Sequence, residues 1–174
     1  MATTGFKLPG FRAYVNRIKN VTAEKAADII VEELQEAGPA WSGEFRNAWK
    51  IVPGTNKRIP ASRQSSYNSL ERAEFRFKPP ETQEQIKAEP LKGRGDNGYT
   101  IGNQMEYRDI AMDLVPSGNG KYRGDREGKT APKDWYVKFA EGGRLKKILE
   151  EATLEAQKNP TIRGFPQKGR LPKE

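Results

Sequence analysis

An apolar stripe running up to a Gly-Pro pair constrains this chain most. Phe11, Tyr14, Val15, Ile18, Ala26, Ala27, Ile30 and Leu34 recur at spacings of three and four, the period of a helix with one buried face. Gly38-Pro39 ends the stripe, because Gly accepts a left-handed C-cap and Pro cannot continue a helix. Residues 11–37 therefore read as one long helix, with Asn20 and Thr22 placed to cap a restart inside it. A second stripe, Trp135, Phe139, Leu145, Ile148, Leu149 and Ala152, predicts a helix over 131–158. Thr130 or Asp134 would cap it, and Pro132 would sit in its first turn, where it is tolerated. Gly142-Gly143 interrupts this pattern at about 1 kcal/mol per Gly relative to Ala, which marks a kink or a close backbone approach. Asn159-Pro160 stops it.

The stretch between the helices is less regular. Residues 39–52 hold two of the three Trp and read as a helical turn feeding a strand from Ala48 to Val52. Pro53-Gly54-Thr55-Asn56 is a turn. Leu70 to Phe77 alternates in part and reads as a strand, and Glu81 to Ala88 reads as a short helix. So long a connection is unusual in a compact domain unless it is functional or disordered. The expectation is that 53–98 forms an extended arm or hairpin that orders against neighbours. Tyr99 to Gly102 is a short strand. Ile110, Met112 and Leu114 alternate with Asp109, Ala111 and Asp113 as in a half-buried strand, with a helical turn starting at Tyr107 as the competing assignment.

Composition narrows the chemistry. The 174 residues include no Cys and no His. That removes disulfides, thiolate nucleophiles, the commonest general base and the commonest transition-metal ligand. Hydrophobic residues make up 34% and charged residues 31%, which suits a modest core with long solvated segments. The N-terminus has no charged-then-apolar signal pattern and no apolar run reaches membrane length, so a soluble chain made in a cytoplasm is expected. Asn20-Val21-Thr22 matches a glycosylation sequon but has no secretion signal to make it meaningful. The net charge is +8. It sits in 41–98 (eleven basic, seven acidic) and in 159–174 (four basic, one acidic), while the helical stretches are balanced. Basic loops rather than a basic helix suit phosphate backbones or acidic protein surfaces.

Gly93-Arg94-Gly95-Asp96-Asn97-Gly98 matches G-x-G-x-x-G but lacks the preceding apolar strand and following helix of a dinucleotide fold. Gly124 to Thr130 resembles a phosphate loop but has three residues between its glycines where four are needed. Glu106, Asp109 and Asp113 could share a face and bind a divalent cation, the basis of a metal-dependent nuclease reading. Such carboxylates are more often simply solvated, as Glu32, Glu33 and Glu36 are expected to be on the wet side of helix one. Arg46, Lys50, Lys57, Arg58, Arg63 and Tyr67 could neutralise and stack on nucleic acid. No catalytic residue, cofactor site or metal site is assigned, and a non-enzymatic role is expected. Trp41, Phe45 and Trp49, at four-residue spacing, are candidate core or subunit-interface anchors. Phe165 is the candidate anchor of the basic tail, whose spaced apolar residues suit docking on a neighbouring protein.

The order of features resembles the tail-completion or neck (head–tail joining) proteins of long-tailed bacteriophages. Their pattern is a long first helix, Pro-x-x-Ser/Thr-Gly-x-Leu/Phe-Arg-x-Ser/Ala, strands, a Gly-Asn…Tyr-Ala-type segment, a loop and a closing helix. Pro39-Ala40-Trp41-Ser42-Gly43-Glu44-Phe45-Arg46-Asn47-Ala48-Trp49 resembles the first motif. Ile101-Gly102-Asn103 with Tyr107-Arg108-Asp109-Ile110-Ala111 resembles the second, and Asp134 to Ala152 the closing helix. Residues 53–98 depart from the pattern in length, Tyr107-Arg108 replaces Tyr-Ala, and a following Glu-x-Gly is missing. The resemblance implies an α+β fold, with a long N-terminal helix and a C-terminal helix packed on a small twisted antiparallel sheet and with extended arms. The corresponding organisation is one domain over 1–158 with an inserted arm at 53–98, and an extended tail over 159–174. It further implies a structural protein of the virion neck that assembles in the host cytoplasm. Its partners would be itself in a ring, commonly a hexamer, with connector or adaptor proteins on the head side and tail terminator or tail tube proteins on the other. Passing contact with genomic DNA is allowed, and no membrane is involved. A free nucleic-acid-binding protein using mobile Lys/Arg-rich loops is the alternative.

Overall fold

A computed structural model describes residues 8–39, 43–65, 86–91, 98–122 and 131–158. The N-terminal stripe forms α1 (Leu8–Ala37), continuous through Asn20 and Thr22. These two cap no restart: their side-chain oxygens are buried with no hydrogen-bond partner among the described residues. Gly38 closes α1, its N–H bonding Leu34 O at 3.1 Å. A single 3-10 turn (Arg46–Ala48) leads into β1 (Trp49–Pro53), the helical turn feeding a strand that the sequence suggests.

β1 pairs antiparallel with β2 (Tyr99–Asn103), Trp49 opposite Asn103 and Pro53 opposite Tyr99. Along β1 the alternation is clear: Trp49 and Ile51 are buried and Lys50 is exposed, as the two-residue period of a one-sided sheet demands. After β2 the chain makes α2 (Arg108–Ala111). The expected strand over 110–114 is not formed, and the competing helical turn is. Met112 and Ala111 are both buried although they are adjacent, which a strand with alternating faces could not achieve.

The C-terminal stripe is two helices, α3 (Trp135–Glu141) and α4 (Arg144–Lys158). Gly142-Gly143 ends one and restarts the other. Gly143 has φ +81°, and a Cβ on Gly142 would stand 2.2 Å from Lys138 O, so neither position tolerates a side chain without strain. Pro132 and the capping assignment are corrected too. The helix begins at Trp135, and Asp134 precedes it in the left-handed region (φ 55°) without a side-chain cap bond. Asp134 N–H instead donates to the buried Asp113 carboxylate at 3.3 Å.

α4 runs antiparallel along α1, Lys25 lying beside Glu155 and Glu33 beside Arg144. Ala26 faces Ile148 and Ala152 there, flanked by Ile29, Ile30 and Leu145, and such small residues let helix backbones approach closely. On its other side α1 turns Ala27, Val31 and Leu34 to the sheet, where they join Phe45, Trp49, Ile51, Met105 and Trp135 in the main core. The arrangement is α+β, helices on a small antiparallel sheet.

Parts of the 53–98 stretch, expected as an arm, pack on the core. Ile59 and Ala88 are buried, and Ile86 packs against the core. Arg63 forms a parallel bridge with Met105 beyond the end of β2. Ile86 to Ala88 are irregular rather than helical. The strand expected at 70–77 and most of the helix expected at 81–88 lie outside the described residues, as does the tail.

Candidate functional site

The strongest concentration of organised side chains surrounds the segment 43–53. Phe45 meets Trp49 edge-on (5.8 Å, 77°) and Trp135 edge-on (6.2 Å, 86°), and stacks on Tyr107 (6.4 Å, 29°). Trp49 stacks on Tyr136 at 6.5 Å and 17°. Such pairs contribute about 0.5–1.5 kcal/mol each beyond the area they bury. The cluster ties the 3-10 turn, β1, the start of α2 and α3 together. Trp135 Nε1 donates to Ala111 O at 3.0 Å, whereas Trp49 Nε1 is buried with no partner among the described residues. Phe45 and Trp49 are thus placed in the core of the chain itself. Trp41 and Phe165 lie outside the described residues.

Asn103 joins the two stretches that carry the resemblance. It is 1% exposed. Its Nδ2 donates to Phe45 O at 2.7 Å and its Oδ1 accepts Met105 N–H at 3.0 Å. Next to it, Gly102 leaves room for Ile59, which a Cβ would meet at 3.1 Å. Arg108 then donates to both Ile59 O (2.9 Å) and Asn103 O (2.8 Å). Sequence reasoning did not single out Asn103. The only signal was its place in Ile101-Gly102-Asn103.

Arg46 corrects the nucleic-acid grouping. It is 4% exposed, so it is not presented to a backbone phosphate. Its Nε donates to Gln35 O near the end of α1, and Gln35 Nε2 returns a bond to Arg46 O at 3.0 Å. Burial lowers its pKa from the ordinary arginine value while nearby Glu36 raises it. The arginine supplies the cation that the carbonyl end of a helix favours. Lys50, Lys57, Arg58 and Arg63 are exposed, although Arg63 also donates to Asn47 O at 3.1 Å. Tyr67 lies outside the described residues.

Glu106, Asp109 and Asp113 do not converge. Among the described residues no three carboxylates come together as a metal-binding group. Asp113 is buried and holds Asp134, Asp109 faces Arg108 at 3.6 Å, and Glu106 is exposed. Of the G-x-G-x-x-G stretch only Gly98 is described. It leads directly into β2 and accepts Gly54 N–H at 2.8 Å, the approach to a strand rather than to a helix. Gly124 to Thr130 lies outside. Glu33 is not merely solvated, since it forms a two-pronged pair with Arg144, one contact being 2.7 Å.

A second feature is an acidic face on α1. Glu24, Asp28 and Glu32 recur every four residues, which stacks them on one side of the helix. Asp28 accepts Ala88 N–H, and Tyr99 OH donates to Glu89 O close by. Glu24 is raised above the usual carboxylate range by burial and then by Asp28. Burial, then Glu24, Asp28 and Glu89, push the Tyr99 phenol up to about 12. A cavity of about 160 Å³ opens between Asp28, Glu32, Gln35, Ile86 and Lys87, smaller than the usual small-molecule site. The four-residue spacing was legible, but the fields on Tyr99 required the fold.

No helix among the described residues is long and apolar enough to cross a membrane. No protein-family model, curated protein or solved structure matches the chain.

Proposed function

We propose that this chain is a non-catalytic structural subunit of a bacteriophage neck, one that assembles with its own copies into a ring joining the head connector to the tail. The observation that carries the reading is Asn103. Its side chain, in the second motif, donates to Phe45 O of the first and accepts Met105 N–H between the two parts of the second, so the two stretches that resemble the family form one bonded unit around the aromatic cluster. What surrounds that unit is a long helix, a small sheet and a closing helix, the order the resemblance implies. Hexameric order, connector and tail partners, and a virion location belong to the same proposal.

The basic nucleic-acid reading is weaker for having lost Arg46 to the core, and rests on Lys50, Lys57, Arg58 and Arg63. Sedimentation velocity and negative-stain imaging of purified protein, with and without duplex DNA, test the two together. Rings without DNA are expected. A monomer that acquires mass only on adding DNA would move the nucleic-acid reading to first place.

A further inference from the structure

α1 carries its charges in two blocks. From residue 8 to 23 it has Arg12, Arg17 and Lys19 and no acid, and from 24 to 37 it has Glu24, Asp28, Glu32, Glu33 and Glu36 against Lys25. This runs against the helix dipole, which favours acids at the start and bases at the end. Within the subunit, Arg144 answers Glu33 and Arg46 lies near Glu36. Among the described residues Glu24, Asp28 and Glu32 have no comparable ion pair, although Asp28 accepts Ala88 N–H and Lys87 stands at the rim of the cavity beside Asp28 and Glu32.

The basic block extends past the helix that covers the rest of α1. With Lys25 beside Glu155 and the two helices antiparallel, the end of α4 at Lys158 falls beside Thr22. The preceding residues of α1 project about 20 Å further at 1.5 Å per residue. The seam that α4 covers at Ala26 continues there as Thr22, Lys19, Val15 and Arg12, spaced four, three, four and three. Arg12 and Lys19 are exposed, and Val15 and Ile18 are half-buried.

A rigid helix keeps the two blocks apart. Lys19 and Glu32 are about 20 Å from each other along it, so they cannot pair within one subunit. Arg12 to Lys19 spans about 10 Å and Glu24 to Glu32 about 12 Å, a matching length. At 3.6 residues per turn, the basic pair lies about 180° around α1 from the acidic triad. One neighbour cannot satisfy both sides through a single two-fold contact.

We propose that the projecting start of α1, through Arg12, Val15 and Lys19, docks on the Glu24–Asp28–Glu32 face of a neighbouring copy. The contact is heterologous, one patch on each side being different, and such contacts propagate into rings when the rotation closes. It rests on the ring reading above and supplies that ring's subunit contact.

The test uses two charge-reversed full-length variants, Arg12→Glu/Lys19→Glu and Glu24→Lys/Glu32→Lys, with far-UV circular dichroism to establish that each folds. In sedimentation velocity each variant alone should associate at least about tenfold more weakly than wild type, given a few tenths to one kcal/mol for each exposed pair lost and a similar repulsion gained. An equal mixture should regain assembly, because each variant then offers what the other lacks. Undiminished assembly of the single variants overturns this interface and leaves the ring reading standing. Folded variants that fail to assemble even when mixed also overturn it. A wild-type chain that stays monomeric overturns the ring reading and the interface with it.

Discussion

Trp49 and Trp135 are buried to nearly the same degree, 3% and 4% exposed, in one aromatic cluster, yet among the described residues only Trp135 has its indole N–H paired, to Ala111 O at 3.0 Å. Replacing either by Phe removes the pyrrole portion of the ring and leaves a small void. The lost burial and the void together should cost roughly 1.5 kcal/mol at each site. At Trp135 the change also deletes a buried hydrogen bond, worth about another 1 kcal/mol net. Trp135→Phe should therefore destabilise by about 2.5 kcal/mol and Trp49→Phe by about 1.5. Urea unfolding followed at 222 nm measures both without relying on the fluorophore that is removed, provided the slope m is unchanged. Equal losses, or a larger loss at Trp49, would refute the assignment of the hydrogen bond as the difference between the two rings.

Asn103→Leu should cost about 2–4 kcal/mol, since it removes partners from both Phe45 O and Met105 N–H in a buried place, and thermal unfolding at fixed concentration reads it. A loss below about 0.5 kcal/mol would show that the bridge does not hold the two motifs together. Arg46→Met should destabilise by about 1–3 kcal/mol by taking the donor from Gln35 O and the cation from the end of α1. Recovery to wild-type stability in Arg46→Lys would show that charge alone matters there. Tyr99 sets a pH limit. Its folded pKa of about 12 exceeds the usual value near 10, so the fold favours the neutral phenol. That contribution is whole below pH 10 and is lost as pH rises from 10 through 12. The stability gap between wild type and Tyr99→Phe should narrow over that window, and a constant gap would contradict the burial of the phenol beside Glu24, Asp28 and Glu89.

What the sequence determined by itself was whatever a local period or a backbone constraint encodes. The three-and-four spacing of α1 and its Gly38-Pro39 end, the turn into β1, and the strand at Tyr99 all follow from residues close together in the chain. The interruption at Gly142-Gly143 was visible, but whether it bends a helix or divides it was settled by the positive φ of Gly143 and the crowding over Gly142. Alternation at 109–114 pointed to a strand, and tertiary burial of the adjacent Ala111 and Met112 chose a helical turn instead. Arg46 reads as a surface cation in sequence because composition carries no burial. Only the fold brings it under the end of α1, where Gln35 O and Glu36 offset the cost of removing it from water. Asn103, Glu33 with Arg144, and the field on Tyr99 were illegible for the same reason: each joins groups from distant parts of the chain, and hydrogen bonds and charges act through space, not along sequence.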